Sequence, residues 1–460
     1  MTLVVVDAVG LTPRALAEMP RLRRLAEDGF QARLDPVLPA VTCPVQSSFL
    51  TGLEPSGHGI VGNGWYFRDL GEVLLWRQHN ALVEGEKVWE VARRARPSFR
   101  TANLCWWYAM GATTDLTVTP RPIYHADGRK SPDCYTDPPG LHDRLTSELG
   151  EFPLFTYWGP GAGIDSSRWI AAAARMLLDA EGLDLLLVYL PHLDYDLQRF
   201  GPEGPEAAAA AREMDEVAGG LVEHARARGD RVVVLSEYGI APASRPVDVN
   251  RALRRAGLLR VYTQAGMEYL DPWTSRAFAV ADHQIAHVYV RSPEDAAAAR
   301  ETLEGLPGMD LLLEGEAKAL AGLDHPRAGD LVAVAEPDAW FTYYYWLDDG
   351  RAPDFARTVE IHRKPGYDPA ELFLDPDDRL VKARAATALL RKKVGMRYVM
   401  GVVPLDPRHV RGSHGRLPAT GEDAPVLLCS EGSAARERIA ATEVRDLMLE
   451  LAELPLATPA

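Results

Sequence analysis

Three oxygen-bearing side chains in the first 63 residues, Asp7, Thr42 and Asn63, are placed where phosphoryl chemistry could be done. Asp7 ends the apolar run Leu3-Val4-Val5-Val6. Thr42 directly precedes a helix-like stretch opening Cys43-Pro44-Val45-Gln46-Ser47-Ser48-Phe49-Leu50, and Asn63 closes Gly59-Ile60-Val61-Gly62-Asn63. In an open α/β sheet, ligands collect at the carboxyl ends of strands. A hydroxyl at a helix N-terminus feels the positive end of the dipole, which favours an alkoxide or a bound phosphate. A carboxylate beside that hydroxyl repels an anion unless a cation lies between them. The pattern predicts a metal-activated threonine nucleophile aimed at a phosphoryl group. Taken alone, Thr42 reads as an N-cap, because a threonine before a proline-containing helix start often has only that role. Asp7 upstream and the Asn63 segment downstream favour the nucleophile.

Further clusters follow the other core-type strands. Residues 185–189 lead into Asp194 and Gln198, residues 231–236 lead into Glu237-Tyr238-Gly239-Ile240, and Arg411-Gly412-Ser413-His414-Gly415 stands near the C-terminus. Separate segments converging on Asp7 and Thr42 are what a two-metal site requires, with ions about 3.5–4 Å apart.

Thr42-Cys43-Pro44, Ser47 through Thr51-Gly52, and Gly57-His58-Gly59-Ile60-Val61-Gly62-Asn63 resemble the nucleophile segment of nucleotide pyrophosphatase/phosphodiesterases, in the alkaline phosphatase superfamily. The resemblance implies Thr42 as the attacking residue, Asp7 as a metal ligand and Asn63 as a donor to a phosphate oxygen. Aligned on Gly201-Pro202, Asp194 falls on an aspartate ligand and Gln198 stands where the family has histidine. Aligned on Ser236 and Gly239, Glu237 replaces an aspartate and Tyr238 a histidine. His414 matches the last histidine ligand, in a Ser-His-Gly setting like that of phosphonoacetate hydrolases. The resemblance spans roughly residues 1–240 and 400–455 and is weak between them. It implies two divalent ions, zinc in the family, on Asp7, Thr42, Asp194, Gln198, Glu237, Tyr238 and His414. Three of those positions depart from the pattern. Glutamate keeps a carboxylate with a longer reach, glutamine offers a neutral carbonyl, and tyrosine binds strongly only as a phenolate. So oxygen-rich a set suits Mg²⁺, Mn²⁺, Ca²⁺ or iron better than zinc.

Other histidines remain open between ligation and a structural role. His283 and His287 are four apart in extended or irregular chain, too far apart on one face to hold one ion easily. His362, followed by Arg363 and Lys364, forms a clamp suited to a substrate anion. His58 and His192 read as structural.

The elements that must position these groups follow an α/β pattern. Short apolar runs at 3–6, 185–189 and 231–236 alternate with helical segments at about 168–181, 205–228 and 441–452. A different texture at 243–399 mixes shorter strands (277–281, 286–290, 338–347) with a helix at 293–303. The expected fold is an alkaline-phosphatase-like parallel-sheet core with helices on both faces, built from 1–242 and 400–460, with a smaller α+β lobe inserted at 243–399. Residues 65–160 read as irregular loops over the site or as buried aromatic core. No internal repeat is evident.

Bulk properties bound the function. At 460 residues the chain exceeds one core of about 250–300 residues. A composition of 47% hydrophobic and 25% charged residues is globular. A net charge of −15 argues against general nucleic-acid binding, while leaving room for a small anionic substrate. The four cysteines form no CxxC pair. With neither a leader-like segment nor an apolar span of about 20 residues, a cytoplasmic location is expected.

The expected function is a metal-dependent phosphoryl hydrolase, of phosphodiesterase or nucleotide pyrophosphatase type, acting on a small anionic phosphoester through a covalent phospho-threonine. A phosphomonoesterase or phosphonate hydrolase would use the same parts. Thr42-Cys43-Pro44-Val45-Gln46 also mimics the spacing around a sulfatase nucleophile, but threonine cannot yield the aldehyde and Gln46 stands where arginine belongs. A non-hydrolytic binding or assembly protein with a weakened metal site is the rival from a different class.

Overall fold

The computed structural model describes residues 1–455, so the last five positions of the expected core stretch lie outside the described residues. Two main sheets organise the chain. In sequence order their strands are β1 (Leu3–Ala8), β2 (Phe30–Asp35), β3 (Thr101–Leu104), β4 (Leu116–Pro120), β5 (Cys134–Asp137), β6 (Leu185–Leu190), β7 (Arg231–Leu235), β8 (Ala277–Asp282), β9 (Ile285–Val290), β10 (Met309–Leu313), β11 (Leu331–Ala335), β12 (Val426–Cys429) and β13 (Arg438–Ala440). The larger sheet runs β13-β2-β12-β7-β1-β6-β3-β4-β5, and the smaller runs β8-β9-β11-β10.

β1 lies at the centre, with all six residues buried. Its valine run is apolar on both faces, as a strand covered on both sides must be. It pairs in parallel with β6 and β7, which sets Asp7 level with Tyr189 on one side and Leu235 on the other. The segments that follow these three strands therefore leave the sheet at one edge. Antiparallel pairings appear further out, where β12 joins β7 to β2 and β5 joins β4. The sheet is parallel in its middle and mixed towards its margins.

The stretch 65–160 departs from the expectation of loops, because β3, β4 and β5 complete one side of the main sheet. Polar residues within these short strands hide the apolar signal. Trp65, Trp89 and Trp106 are buried core residues there. Helix α1 (Thr42–Thr51) is buried along its whole length and ends at Gly52, whose φ of 69° lets its N–H close on Ser48. α2 (Ile164–Ala180) packs on β6, and α3 (His192–Phe200) leaves the end of β6 carrying Asp194 and Gln198 one turn apart. The expected strand at 338–347 shortens to Ala339–Phe341, followed by irregular chain.

Within the smaller sheet, β8 and β9 form a hairpin turning at His283 and Gln284. The apolar cluster around this sheet also takes in Cys43, Ile60, Val61 and Trp65, so it continues into the segment after α1. No helix among the described residues is long and apolar enough to cross a membrane.

Candidate active site

Thr42 is the first residue of α1, and its side chain does not cap the helix. The N-cap is Val41, which offers no side chain for the purpose. Asn63 takes that role from a distance, its Oδ1 accepting from the Cys43 N–H at 3.0 Å. The Asn63 amide then donates to Asp282 Oδ1 at 3.1 Å, while its backbone N–H reaches Oδ2 at 2.8 Å. One amide hydrogen of Asn63 is left for any other acceptor. The Thr42 hydroxyl meets the Tyr238 hydroxyl at 3.2 Å instead.

Behind Thr42 lie Asp7 and Glu237, both fully buried. Gln46, one turn along α1 from Thr42, inserts its amide between them. Nε2 donates to Asp7 Oδ2 at 3.0 Å and to Glu237 Oε1 at 2.9 Å, and Oε1 accepts from the Trp107 N–H at 2.8 Å. Burial pushes the Asp7 carboxyl up to about 8, against hydrogen bonds to Glu237 and Gln46 that pull it down. Burial, then repulsion from Asp7, lifts Glu237 well above the usual carboxylate range. Neither Asp7 Oδ1 nor Glu237 Oε2 has a hydrogen-bond partner among the described residues.

Asp194 is held in the same way. Its Oδ2 accepts from Gln198 Nε2 at 2.8 Å and its Oδ1 from the Tyr238 hydroxyl at 3.3 Å. Burial raises its carboxyl to about 7. Gln198 Oε1 in turn accepts from the Tyr367 hydroxyl at 2.9 Å. Tyr238 lies flat on His414, with ring centres 3.5 Å apart and planes within 6°. His414 Nδ1 sits 2.9 Å from the Ala40 carbonyl, which ties its loop to the start of α1. Gly412 lets the same loop run close against α3, since a Cβ there would stand 2.2 Å from the Leu197 carbonyl oxygen. Burial pushes both His414 and His283 well below the ordinary imidazole range.

The β8–β9 hairpin carries the smaller sheet into this centre. Asp282 holds Asn63, and His283, at φ 60°, stacks on Tyr367 at 3.6 Å and leans on His414 at 3.8 Å. His287 is structural, its ring meeting the Val61 carbonyl and the Gly329 N–H. His58, against Ser48, is buried in the same manner.

Thr42, Asp194, Tyr238 and His283 open onto a cavity of about 2070 Å³. Trp76, Trp107 and Trp158 line it with Arg77, Arg121 and Arg363. Of the expected anion clamp, His362 and Arg363 reach this cavity. Lys364 does not: its ammonium is buried in ion pairs of 2.7 Å to both Asp368 and Glu371. Burying an ammonium is costly, and that pair of carboxylates, with the Tyr343 ring 5.9 Å away, compensates it.

The donor set does not fit the two cations that the resemblance implies. Gln46, Gln198 and Tyr238 present hydrogens, rather than lone pairs, to the carboxylates that would be ligands. Among the described residues, the sets of three or more acidic, cysteine or histidine side chains close enough for one ion are Asp133–Cys134–His142 and Asp377–Asp406–His409, neither at Thr42. Sequence reasoning passed over Gln46, Trp107, Asp282 and Tyr367. The four-residue spacing of Gln46 from Thr42, which puts both on one helix face, was the available signal.

Comparison with known proteins agrees with this architecture. An uncharacterized pyrophosphatase/phosphodiesterase of Schizosaccharomyces pombe is 26% identical over 240 residues, which span 49% of this chain and 41% of that protein. Phosphonoacetate hydrolase from Sinorhizobium meliloti, solved with phosphonoformate, superimposes with a TM-score of 0.63 at 16% identity, over 98% of this chain and 96% of that one. Murine ectonucleotide pyrophosphatase/phosphodiesterase 5, solved as an inactive form with AMP, gives 0.59 at 14% identity, over 100% and 97%. At such identities the structural likeness carries the fold alone. The model of the type I phosphodiesterase / nucleotide pyrophosphatase family matches residues 3–368, and the chain belongs to that family, within the alkaline phosphatase superfamily.

Proposed function

We propose that this chain is a phosphoryl-transfer hydrolase that uses Thr42 on a phosphoester carrying a bulky aromatic or apolar group. The observation behind it is the position of the Thr42 hydroxyl, at the start of α1, opening on the large arginine- and tryptophan-lined cavity and hydrogen-bonded to Tyr238. Ordinary ligand sites are about 300–1,000 Å³, so the space exceeds what a bare phosphate needs. Arginines attract the anion, and the indoles of Trp76 and Trp107, 4.8 Å apart, offer faces for a flat group.

In the chemical step Thr42 Oγ1 attacks phosphorus in line and the bond to the leaving oxygen breaks. The threonine proton passes to the Tyr238 hydroxyl as that hydroxyl gives its own to ionised Asp194. Contacts of 3.2 and 3.3 Å are long for hydroxyl groups, as is common before substrate tightens them. The leaving oxygen takes up one proton, and water then hydrolyses the phospho-threonine to restore Thr42. Dependence on a divalent metal, a property of the family, is not carried into these steps, because the donor set does not fit one.

The neutral donors on Asp7, Glu237 and Asp194 favour a second reading, a protein that binds such a phosphoester without turnover. Bis(p-nitrophenyl) phosphate and p-nitrophenyl phosphate separate the two readings, with p-nitrophenolate release and tandem mass spectrometry of Thr42 as readouts. The hydrolase releases p-nitrophenolate and carries a phosphoryl adduct on Thr42, both lost in Thr42→Ala. Saturable binding of either ester without release supports the second reading. Turnover unchanged in Thr42→Ala would sink the nucleophile.

A further inference from the structure

We propose that Gln46, Gln198 and Tyr238 together replace the two divalent cations expected beneath Thr42, so that this site takes up no catalytic metal. The inference rests on reading Thr42 as standing at the family's nucleophile position, and it concerns what lies behind that residue.

Gln46 carries the argument because its amide cannot be turned around. A backbone N–H only donates, so the Trp107 N–H at 2.8 Å must face Oε1. Nε2 is thereby directed at Asp7 and Glu237, with one hydrogen for each. An amide nitrogen has no lone pair to give a cation, and its hydrogens would repel one. Flipping the amide would set Oε1 against two carboxyl groups and an NH₂ group against the Trp107 N–H. The peptide that enforces this is itself held in an uncommon geometry. Cys105 at φ 68° and Tyr108 at φ 57° flank it, in a region that costs non-glycine residues about 1–3 kcal/mol. Of the six non-glycine residues with positive φ among the described residues, Trp76, Cys105, Tyr108 and His283 lie around this site. Strain gathered there is retained where the surroundings require one arrangement.

The second position is closed by different residues. Asp194 receives a hydrogen on each oxygen, from Gln198 and Tyr238. Tyr238 cannot swing aside easily, because its ring is stacked flat on His414 and is buried. Each departure from the family pattern noted in the sequence is therefore part of one exchange. Nitrogen ligands at 198 and 238 give way to hydrogen donors, and Gln46 supplies the donor for the remaining carboxyl pair.

The test uses the full chain and reads metal directly. Protein is dialysed against Zn²⁺ or Mn²⁺, and its content is measured by mass spectrometry of the metal, beside titration calorimetry and thermal melts with and without EDTA. The wild type and the double variant Asp7→Asn with Asp194→Asn are expected to bind equal amounts, since ions at clusters away from Thr42, such as Asp133–Cys134–His142, survive in both. EDTA is expected to leave the wild-type melting temperature unchanged. A combined variant, Gln46→Ala with Gln198→His, Glu237→Asp and Tyr238→His, removes the donors and is expected to gain Zn²⁺ affinity by about 100-fold. Metal held by the wild type and lost in the double variant would overturn the proposal, as would a melting temperature that EDTA lowers in the wild type but not in the double variant. These readouts do not depend on turnover, so a chain without metal but with labelled Thr42 upholds both readings. A metal-free chain with no response to either ester upholds this inference and removes the hydrolase.

Discussion

Asp368 and Glu371 share a lysine, whereas Asp7 and Glu237 share an amide. In the first pair Lys364 Nζ lies 2.7 Å from each carboxylate, and all three side chains are buried. In the second, Gln46 Nε2 lies 3.0 and 2.9 Å from its partners. A lysine brings a full positive charge into a low-dielectric interior, offsetting the desolvation of both carboxylates. The amide brings two hydrogen bonds and no net charge, so burial lifts both carboxyl groups above their usual range. This chain can therefore build a buried cation clamp, yet it places none where phosphoryl chemistry in its family is expected. Gln46, Gln198 and Tyr238 bring no cationic side chain to the carboxyl groups beneath Thr42, and attraction for an anion falls to the arginines of the cavity.

The contrast can be broken experimentally. Lys364→Met leaves two buried carboxylates facing each other, and unfolding stability in urea is expected to fall by about 3–5 kcal/mol. Acid should come next, through buried histidines that are also kept neutral. Burial lowers His58 to about 3 and His287 to about 4. Because the folded values lie below the unfolded 6.5, the unfolded chain binds more protons at these histidines as pH drops, and their contribution to stability is lost from about pH 6.5 downward. At pH 5 each histidine is expected to cost about 2 kcal/mol relative to pH 7.5. Urea curves at the two pH values check this, and His58→Gln should reduce the difference by about 2 kcal/mol.

Gln46→Ala removes both donors from Asp7 and Glu237, for an expected loss of about 1–3 kcal/mol. A loss as large as that of Lys364→Met would mean that both carboxyl groups are ionised, and the contrast between the two pairs would fail. Tyr238→Phe should have the smallest effect on stability, about 1 kcal/mol by thermal melting, because the ring stays stacked on His414. Its larger consequence is expected in p-nitrophenolate release, slower by about 100-fold if the hydroxyl relays the threonine proton.

Much of this was legible in the linear chain. The alternation of short valine- and leucine-rich runs with helical segments announced a parallel core, and the residues after 3–6, 185–189 and 231–236 do leave the sheet at one edge. Parallel strands buried on both faces need continuous apolar runs, so they are visible locally. β3 to β5 escaped notice because they are short and partly polar, and their neighbours in the sheet, not their own sequence, make them strands. Thr42 stood out from its setting at a helix start, although the capping role it suggested belongs to Asn63, twenty-one residues away in sequence.

What the sequence determined by itself is a family, a sheet and a threonine at its carboxyl edge, since periodicity and short motifs are local properties. Only the tertiary structure decided what the departures at 198, 237 and 238 mean. Read as single substitutions they weaken a metal site. In space, Gln46 from one helix, Gln198 from another and Tyr238 from a strand end point hydrogens at the same three carboxyl groups. The backbone N–H of Trp107, in a turn after β3, sets which way the Gln46 amide faces. A hydrogen bond's direction depends on partners far apart in the chain, and no local pattern records it.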